Sequence, residues 1–265
     1  MTAYRTKKSF GQHFLVDVRA AQIIAEHATT PRGGTVLELG AGLGALTTHL
    51  LARASRVVAV ERDRDLVPRL AETYAEAIAK GQLVIREADA AQVDYAAEFA
   101  GGPRPHIVAG NLPYAITGRL LQRTVEAAGS IDAAVFMVQK EVADRLAAAP
   151  DDDEYGALTV FTQAAFDVER VLVVRAGSFR PPPRVDSAVV LLTPLTPRRA
   201  EETPRFRDAV KRAFAARRKT LRNAWKGLYG LTPAELAERA AAAGINLDAR
   251  GETLAVEAFA AISKP

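Results

Sequence analysis

The chain has 265 residues, no cysteine, 49% hydrophobic and 25% charged residues, and a net charge of +4. These values fit a globular protein with one large domain and a small one, and they exclude disulfides, thiolate nucleophiles and cysteine zinc sites. Four histidines without a His-x-x-x-His pair argue against a catalytic metal, and the polar, basic N-terminus and lack of a long apolar run argue against a signal peptide or membrane span. Asp17 is placed to cap a helix reaching about Ala28. Pro31-Arg32-Gly33-Gly34 breaks it, and Thr35–Leu39 reads as a buried strand. A glycine turn follows, then a helix over 45–53, a strand at Arg56–Glu61, a helix over 65–79 and a strand over 82–86. Further strands are expected at 106–109 and 133–138, each followed by a helix, at 118–127 and 140–149. The β-branched segments 160–165 and 168–174 suggest a strand pair, and Ser187–Thr193 another strand. Strands alternating with helices predict an α/β, Rossmann-like domain with a parallel sheet.

The character changes at Thr193-Pro194-Leu195-Thr196-Pro197. Segments 206–216, 218–228, 233–243 and 253–263 read as helices, and Thr232-Pro233-Ala234-Glu235 has the pattern of a helix start. Two domains are therefore expected: 1–195, carrying a basic N-terminal arm, and an all-helical 196–265. The positive charge concentrates in the second. Between Arg198 and Lys226 there are eleven basic residues against the three acids Glu201, Glu202 and Asp208. Such a cluster suits phosphate contacts, although a basic run by itself is more often a solvated helix face.

Glu38-Leu39-Gly40-Ala41-Gly42-Leu43-Gly44 ends a strand and opens a helix. Glycines let the backbone turn tightly and approach a ligand. Glu61, at the end of the next strand, is placed to accept hydrogen bonds from ribose hydroxyls. Asp89, with Ala90 beside it, is placed to meet an adenine amino group. Gly40, Gly42, Gly44, Glu61, Arg62, Asp89 and Ala90 thus form a candidate adenosine-cofactor crevice. With Ala45 as its last position the run also satisfies the looser dinucleotide pattern, so the glycines alone leave a dehydrogenase open.

Asn111-Leu112-Pro113-Tyr114 favours S-adenosylmethionine. The amide oxygen of Asn111 and the carbonyl of Leu112 can each accept one N–H of a planar heteroaromatic amine. Pro113 fixes the turn and Tyr114 offers a stacking face. An exocyclic adenine amine is a weak nucleophile because its lone pair is delocalised. Two acceptors favour the pyramidal form that can attack a methyl sulfonium. Phe179, ahead of Pro181-Pro182-Pro183, is a candidate for the opposite face of the base, the alternative being a core phenylalanine.

Five segments in order, Ser9–Leu15 (Ser-Phe-Gly-Gln-His-Phe-Leu), Glu38–Gly44, Asn111–Tyr114, Phe179–Ser187 and Arg217–Asn223, resemble the ribosomal RNA adenine dimethylases of the KsgA type. The resemblance implies a Rossmann-like methyltransferase domain with a small helical domain. The implied activity is N6,N6-dimethylation of two adjacent adenosines in the loop of the last 16S rRNA helix, with S-adenosylmethionine as methyl donor, S-adenosylhomocysteine as product and no metal. It implies cofactor contacts from His13, Leu15, Gly40, Glu61, Asp89 and Asn111, with Gln12 beside them. Arg217, Arg218, Lys219 and Arg222 are the expected RNA contacts. The expected partner is a small-subunit assembly intermediate, and the expected enzyme is a cytoplasmic monomer away from membranes. The chain departs from the pattern at Ala115-Ile116-Thr117-Gly118 and at the acidic loop Asp151–Glu154. Competing readings are an Erm-type dimethylase of 23S rRNA and a binding factor that checks ribosome assembly.

Overall fold

Strands rich in Val, Leu and Ala, with no polar alternation, become the covered centre of a sheet. The computed structural model describes residues 12–30, 32–216 and 218–265. Its strands are β1 (Phe14–Leu15), β2 (Thr35–Leu39), β3 (Arg56–Glu61), β4 (Leu83–Glu87), β5 (His106–Asn111), β6 (Ala133–Gln139), β7 (Phe166–Val174), β8 (Phe179–Arg180) and β9 (Ser187–Pro194). Seven of them form one sheet in the order β4-β3-β2-β5-β6-β9-β7. The strands β4, β3, β2, β5 and β6 run parallel, and β9 joins β6 antiparallel, with Phe136 opposite Val190. The sheet is therefore not parallel throughout, as the alternation of strands and helices had predicted.

The chain leaves β2 towards β3 and β4, then returns to β5 on the other side of β2. Such a reversal opens a crevice at the carboxyl ends of the strands. Every residue of β2 is buried, so the crevice rests on a rigid floor. Its side wall comes from a separate two-stranded ribbon in which Phe14 pairs with Arg180 and Leu15 with Phe179. Asp17 then starts the helix Val18–His27, its carboxylate accepting the Ala20 N–H at 3.1 Å.

The chain divides into two compact units, Met1–Ala143 with Glu169–Pro194, and Asp144–Val168 with Leu195–Pro265. The second unit thus takes in a segment that the sequence reading put with the first. Among the described residues its elements after Pro194 are all helical. Its core gathers Tyr155, Phe206, Trp225 and Phe259. The Trp225 indole donates to the Ala209 carbonyl at 2.9 Å and the Tyr155 hydroxyl to that of Leu254 at 2.8 Å. The helix Pro233–Ala242 has the expected start: Thr232 accepts the Glu235 N–H, and the Glu235 carboxylate accepts the Thr232 N–H.

Several elements differ from expectation. The first four residues of the segment read as a strand at 160–165 lie in the helix Ala157–Gln163. Its apolar residues Ala157, Val160, Phe161 and Ala164 recur at helical spacing, which overrides the β preference of Val and Thr. The helix expected over 65–79 breaks at Tyr74 into Val67–Thr73 and Ala75–Ala79. Only Leu221–Ala224 of the expected 218–228 helix is α-helical.

Candidate active site

Gln12, His13, Gly40, Gly42, Glu61, Arg62, Asp89, Ala90, Asn111, Leu112, Pro113 and Tyr114 line one pocket of the first unit. Residues far apart in sequence meet there because β2, β3, β4 and β5 all end at the same edge. Leu15 lies beside it, lining a smaller adjoining cavity with Phe14, Glu38 and Leu43. Gly44 lines neither cavity. It has φ +85°, and a Cβ there would overlap the Tyr74 ring, which lies against the turn. Its role is to let the loop turn over Tyr74, whose hydroxyl donates to the Gly44 carbonyl at 2.7 Å.

Glu61 organises the turn. Its two carboxylate oxygens accept the backbone N–H groups of Gly42, at 2.8 Å, and Asp63, at 2.7 Å. Each oxygen keeps one lone pair for another donor. Asp89 accepts the Ala91 N–H at 3.0 Å and faces the Arg62 guanidinium at 3.6 Å. Gln12 donates to the Asp63 carboxylate at 3.0 Å, tying the arm to the end of β3.

Asn111 donates its amide nitrogen to the His13 carbonyl at 3.1 Å. A carbonyl can only accept, so this contact turns the Asn111 oxygen the other way. Leu112 is anchored by its own N–H to the Met137 carbonyl at 3.0 Å, and its side chain is buried. Tyr114 shares a 2.9 Å hydrogen bond with Ser187. Burial pushes its phenol above the usual range, partly offset by that bond. The His13 ring stacks against Tyr114 with centroids 5.7 Å apart and planes 27° from parallel. Its Nδ1 lies 2.8 Å from the Pro181 carbonyl, and since a carbonyl only accepts, Nδ1 carries a proton.

Phe179 is not in the pocket. It is 0% exposed and packs in the core with Leu15, Ile24 and Val189, so the plain core reading holds for it. On the second unit Arg218 and Lys219 are exposed, whereas Arg222 is held by Asp248 through two hydrogen bonds of 2.9 and 3.2 Å. Arg217 lies outside the described residues, as do Ser9, Phe10 and Gly11 of the N-terminal motif.

Sequence reasoning assigned no role to Glu38, Phe14 or Ser187. Glu38 is 1% exposed and accepts the Thr47 hydroxyl at 2.6 Å. Burial, reinforced by the charge of Glu61 and opposed by the Thr47 hydrogen bond, raises its carboxyl to about 7. A Cβ on Gly42 would come within 3.2 Å of the Phe14 ring, so the arm closes directly on the glycine turn. The signal for Ser187 was present in the last position of the Phe179–Ser187 motif. Among the described residues no three His, Asp or Glu side chains group as a metal site, and no helix is long and apolar enough to cross a membrane.

The model of the ribosomal RNA adenine dimethylase family matches residues 3–264. The chain belongs to that family. Curated relatives called ribosomal RNA small subunit methyltransferase A are 44% identical in Anaeromyxobacter sp. (strain K), over 98% of this chain and 93% of that one, and 45% identical in Myxococcus xanthus (strain DK1622), over 98% and 90%. Among solved structures, a dimethyladenosine transferase from Plasmodium falciparum shares the fold with a TM-score of 0.77 at 23% identity, covering 94% of this chain and 96% of that one. The 23S rRNA methyltransferase ErmE is 26% identical with a TM-score of 0.71, covering 94% and 98%. Membership of the dimethylase family removes the dehydrogenase reading that the glycines had left open.

Proposed function

We propose that the chain is an S-adenosylmethionine-dependent dimethyltransferase of the N6 amines of two adjacent adenosines in the 3′-terminal helix loop of 16S rRNA, acting on a small-subunit assembly intermediate. The observation that carries this reading is the meeting of Asn111–Tyr114 with Gly40, Glu61 and Asp89 in one pocket. The names of the relatives, at more than 40% identity over nearly the whole chain, support the small-subunit substrate.

The donor groups fit an adenosine cofactor. Glu61 keeps two lone pairs that would serve ribose hydroxyls, Asp89 lines the same pocket and would meet the adenine amine, and Gly40 has φ +79°. When bound, S-adenosylmethionine supplies an electrophilic methyl group. The chain's own residues do the rest. Tyr114 stacks the extruded base, and the Asn111 amide oxygen and Leu112 carbonyl hold the amine hydrogens, so positive charge develops beside acceptors already in place. The proton passes from the nitrogen to water once the nitrogen becomes cationic, which requires no strong base.

Asn111→Ala tests the chemical role. It removes both the amine acceptor and the hydrogen bond to the arm. We expect tritiated-methyl incorporation into unmethylated small subunits to fall at least about 100-fold while subunit binding persists. Methylation at the wild-type rate would refute the role of Asn111, and loss of binding with retained chemistry would favour the assembly-factor reading. The likeness to ErmE keeps 23S rRNA as the necessary control substrate.

A further inference from the structure

The C-terminal unit holds a stacked pair that the candidate active site does not use. Arg205 lies in the first turn of the helix Pro204–Ala215, with its guanidinium carbon 4.1 Å over the centre of the Tyr229 ring. Tyr229 is fixed in place. Its hydroxyl donates to the Arg205 carbonyl at 2.8 Å and lies 3.2 Å from the Ser263 hydroxyl. Its backbone is left-handed, at φ 56° and ψ 19°. That conformation is rare for a bulky residue and persists only where the surroundings impose it.

Arg205 differs from its neighbours electrostatically. Arg198, Arg199, Arg207, Arg212 and Arg222 each have a carboxylate partner. Arg205 has none among the described residues, and its buried Nε has no hydrogen-bond partner. Partly burying a cation that has no carboxylate partner costs solvation, and the Tyr229 ring face offsets this only in part. One of its faces lies on the tyrosine and the residue remains partly exposed. Lys226, three residues before Tyr229, is exposed as well, and its carbonyl takes the Arg212 guanidinium at 3.3 Å. Arg205 and Arg212 share one face of their helix, so this contact brings the Lys226 backbone to the same face.

We propose that Arg205, stacked on Tyr229, is a nucleotide-binding site: an unpaired base of the substrate RNA lies on the outer face of the guanidinium, and the adjoining phosphate pairs with Lys226. Arginine planes and aromatic rings are the surfaces on which single-stranded RNA bases stack, whereas bases within a duplex have no free face to offer. The ligand is therefore an unstacked nucleotide of a loop, bulge or end. The proposal rests on the RNA-methylating reading and adds to it a contact on the C-terminal unit.

The test compares the full-length wild type with Arg205→Lys and Lys226→Gln for binding to unmethylated small subunits over a range of salt concentrations, with thermal melting of each variant. Arg205→Lys keeps the charge and loses the plane. It is expected to bind about tenfold more weakly with an unchanged salt slope. Lys226→Gln, an exposed change, is expected to lower the slope by about 0.7. Wild-type affinity for Arg205→Lys would overturn the stacking site, and an unchanged slope for Lys226→Gln would overturn the phosphate contact. If Arg205→Lys melts early, Tyr229→Phe, which keeps the ring, must retain wild-type affinity for the proposal to stand. Failure of the wild type itself to methylate these subunits would instead sink the functional reading.

Discussion

Glu38 sits sealed beneath the glycine turn, and its environment makes a pH prediction. Burial raises its carboxyl from the ordinary 4.5 to about 7. Between those values the folded protein holds a proton that the unfolded chain has released. Stability from this group is therefore full below 4.5 and falls as pH rises towards 7. The shift corresponds to roughly 3 kcal/mol. Glu38→Gln keeps an acceptor for Thr47 and removes the titration. In urea unfolding of the cofactor-free protein, the variant should gain on the wild type between pH 5 and pH 8, and a constant difference would contradict the burial account. Gly44→Ala should be worse than an exposed glycine substitution: φ is +85° and Tyr74 fills the space, so a loss of about 1–3 kcal/mol is expected in the same measurement. At this scale the position of Asn111–Tyr114 on the pocket was legible because the four residues are consecutive at the end of a strand. Phe179 was not, since a phenylalanine ahead of a proline run gives no sign of whether it faces a core or a ligand. The pairing of Arg222 with Asp248, 26 positions away, is a tertiary fact that local charge counting misses.

Among the elements, the short ribbon of β1 and β8 matters more than its length suggests. It is held by Phe14 and Leu15 against Arg180 and Phe179, by the Val16 N–H on the Ser178 carbonyl at 2.8 Å, and by Ser178 on the Asp17 carboxylate at 2.9 Å. Two-residue strands have no period to read, which is why neither strand was foreseen. The main sheet was legible because long apolar runs between turn signals have few alternatives. Asp17 joins the ribbon to its helix. Its carboxyl is held below the ordinary value, first by the Ala20 N–H and then by Ser178. This stabilisation is present above the ordinary carboxylate pKa and is lost as pH falls through the lower folded-state value. Asp17→Ala should cost about 1 kcal/mol at pH 7, and Asp17→Asn, also a good helix cap, should recover most of it. Equal losses in chemical denaturation would show that the cap is not what stabilises this end.

For the whole molecule, the eleven basic residues between Arg198 and Lys226 overstate the available cationic surface. Many arginines of the Arg198–Lys226 stretch are already neutralised by nearby carboxylates. The count of eleven basic residues was readable, but which of them remain available to phosphate was not. Arg218 and Lys219 are exposed without a carboxylate partner among the described residues. Neutralising these two should reduce the salt slope of subunit binding by about 1.4, whereas Arg222→Gln should change it less. A larger effect from Arg222 would mean that Asp248 yields it to the RNA.

Mass spectrometry of 16S rRNA, after unmethylated small subunits are incubated with the protein and S-adenosylmethionine and with 23S rRNA as control, reads the proposed activity directly. Two methyl groups are expected on N6 of each of two adjacent adenosines near the 3′ end, and none on 23S rRNA. An unmodified adenosine pair, or methylation confined to 23S rRNA, would contradict that activity.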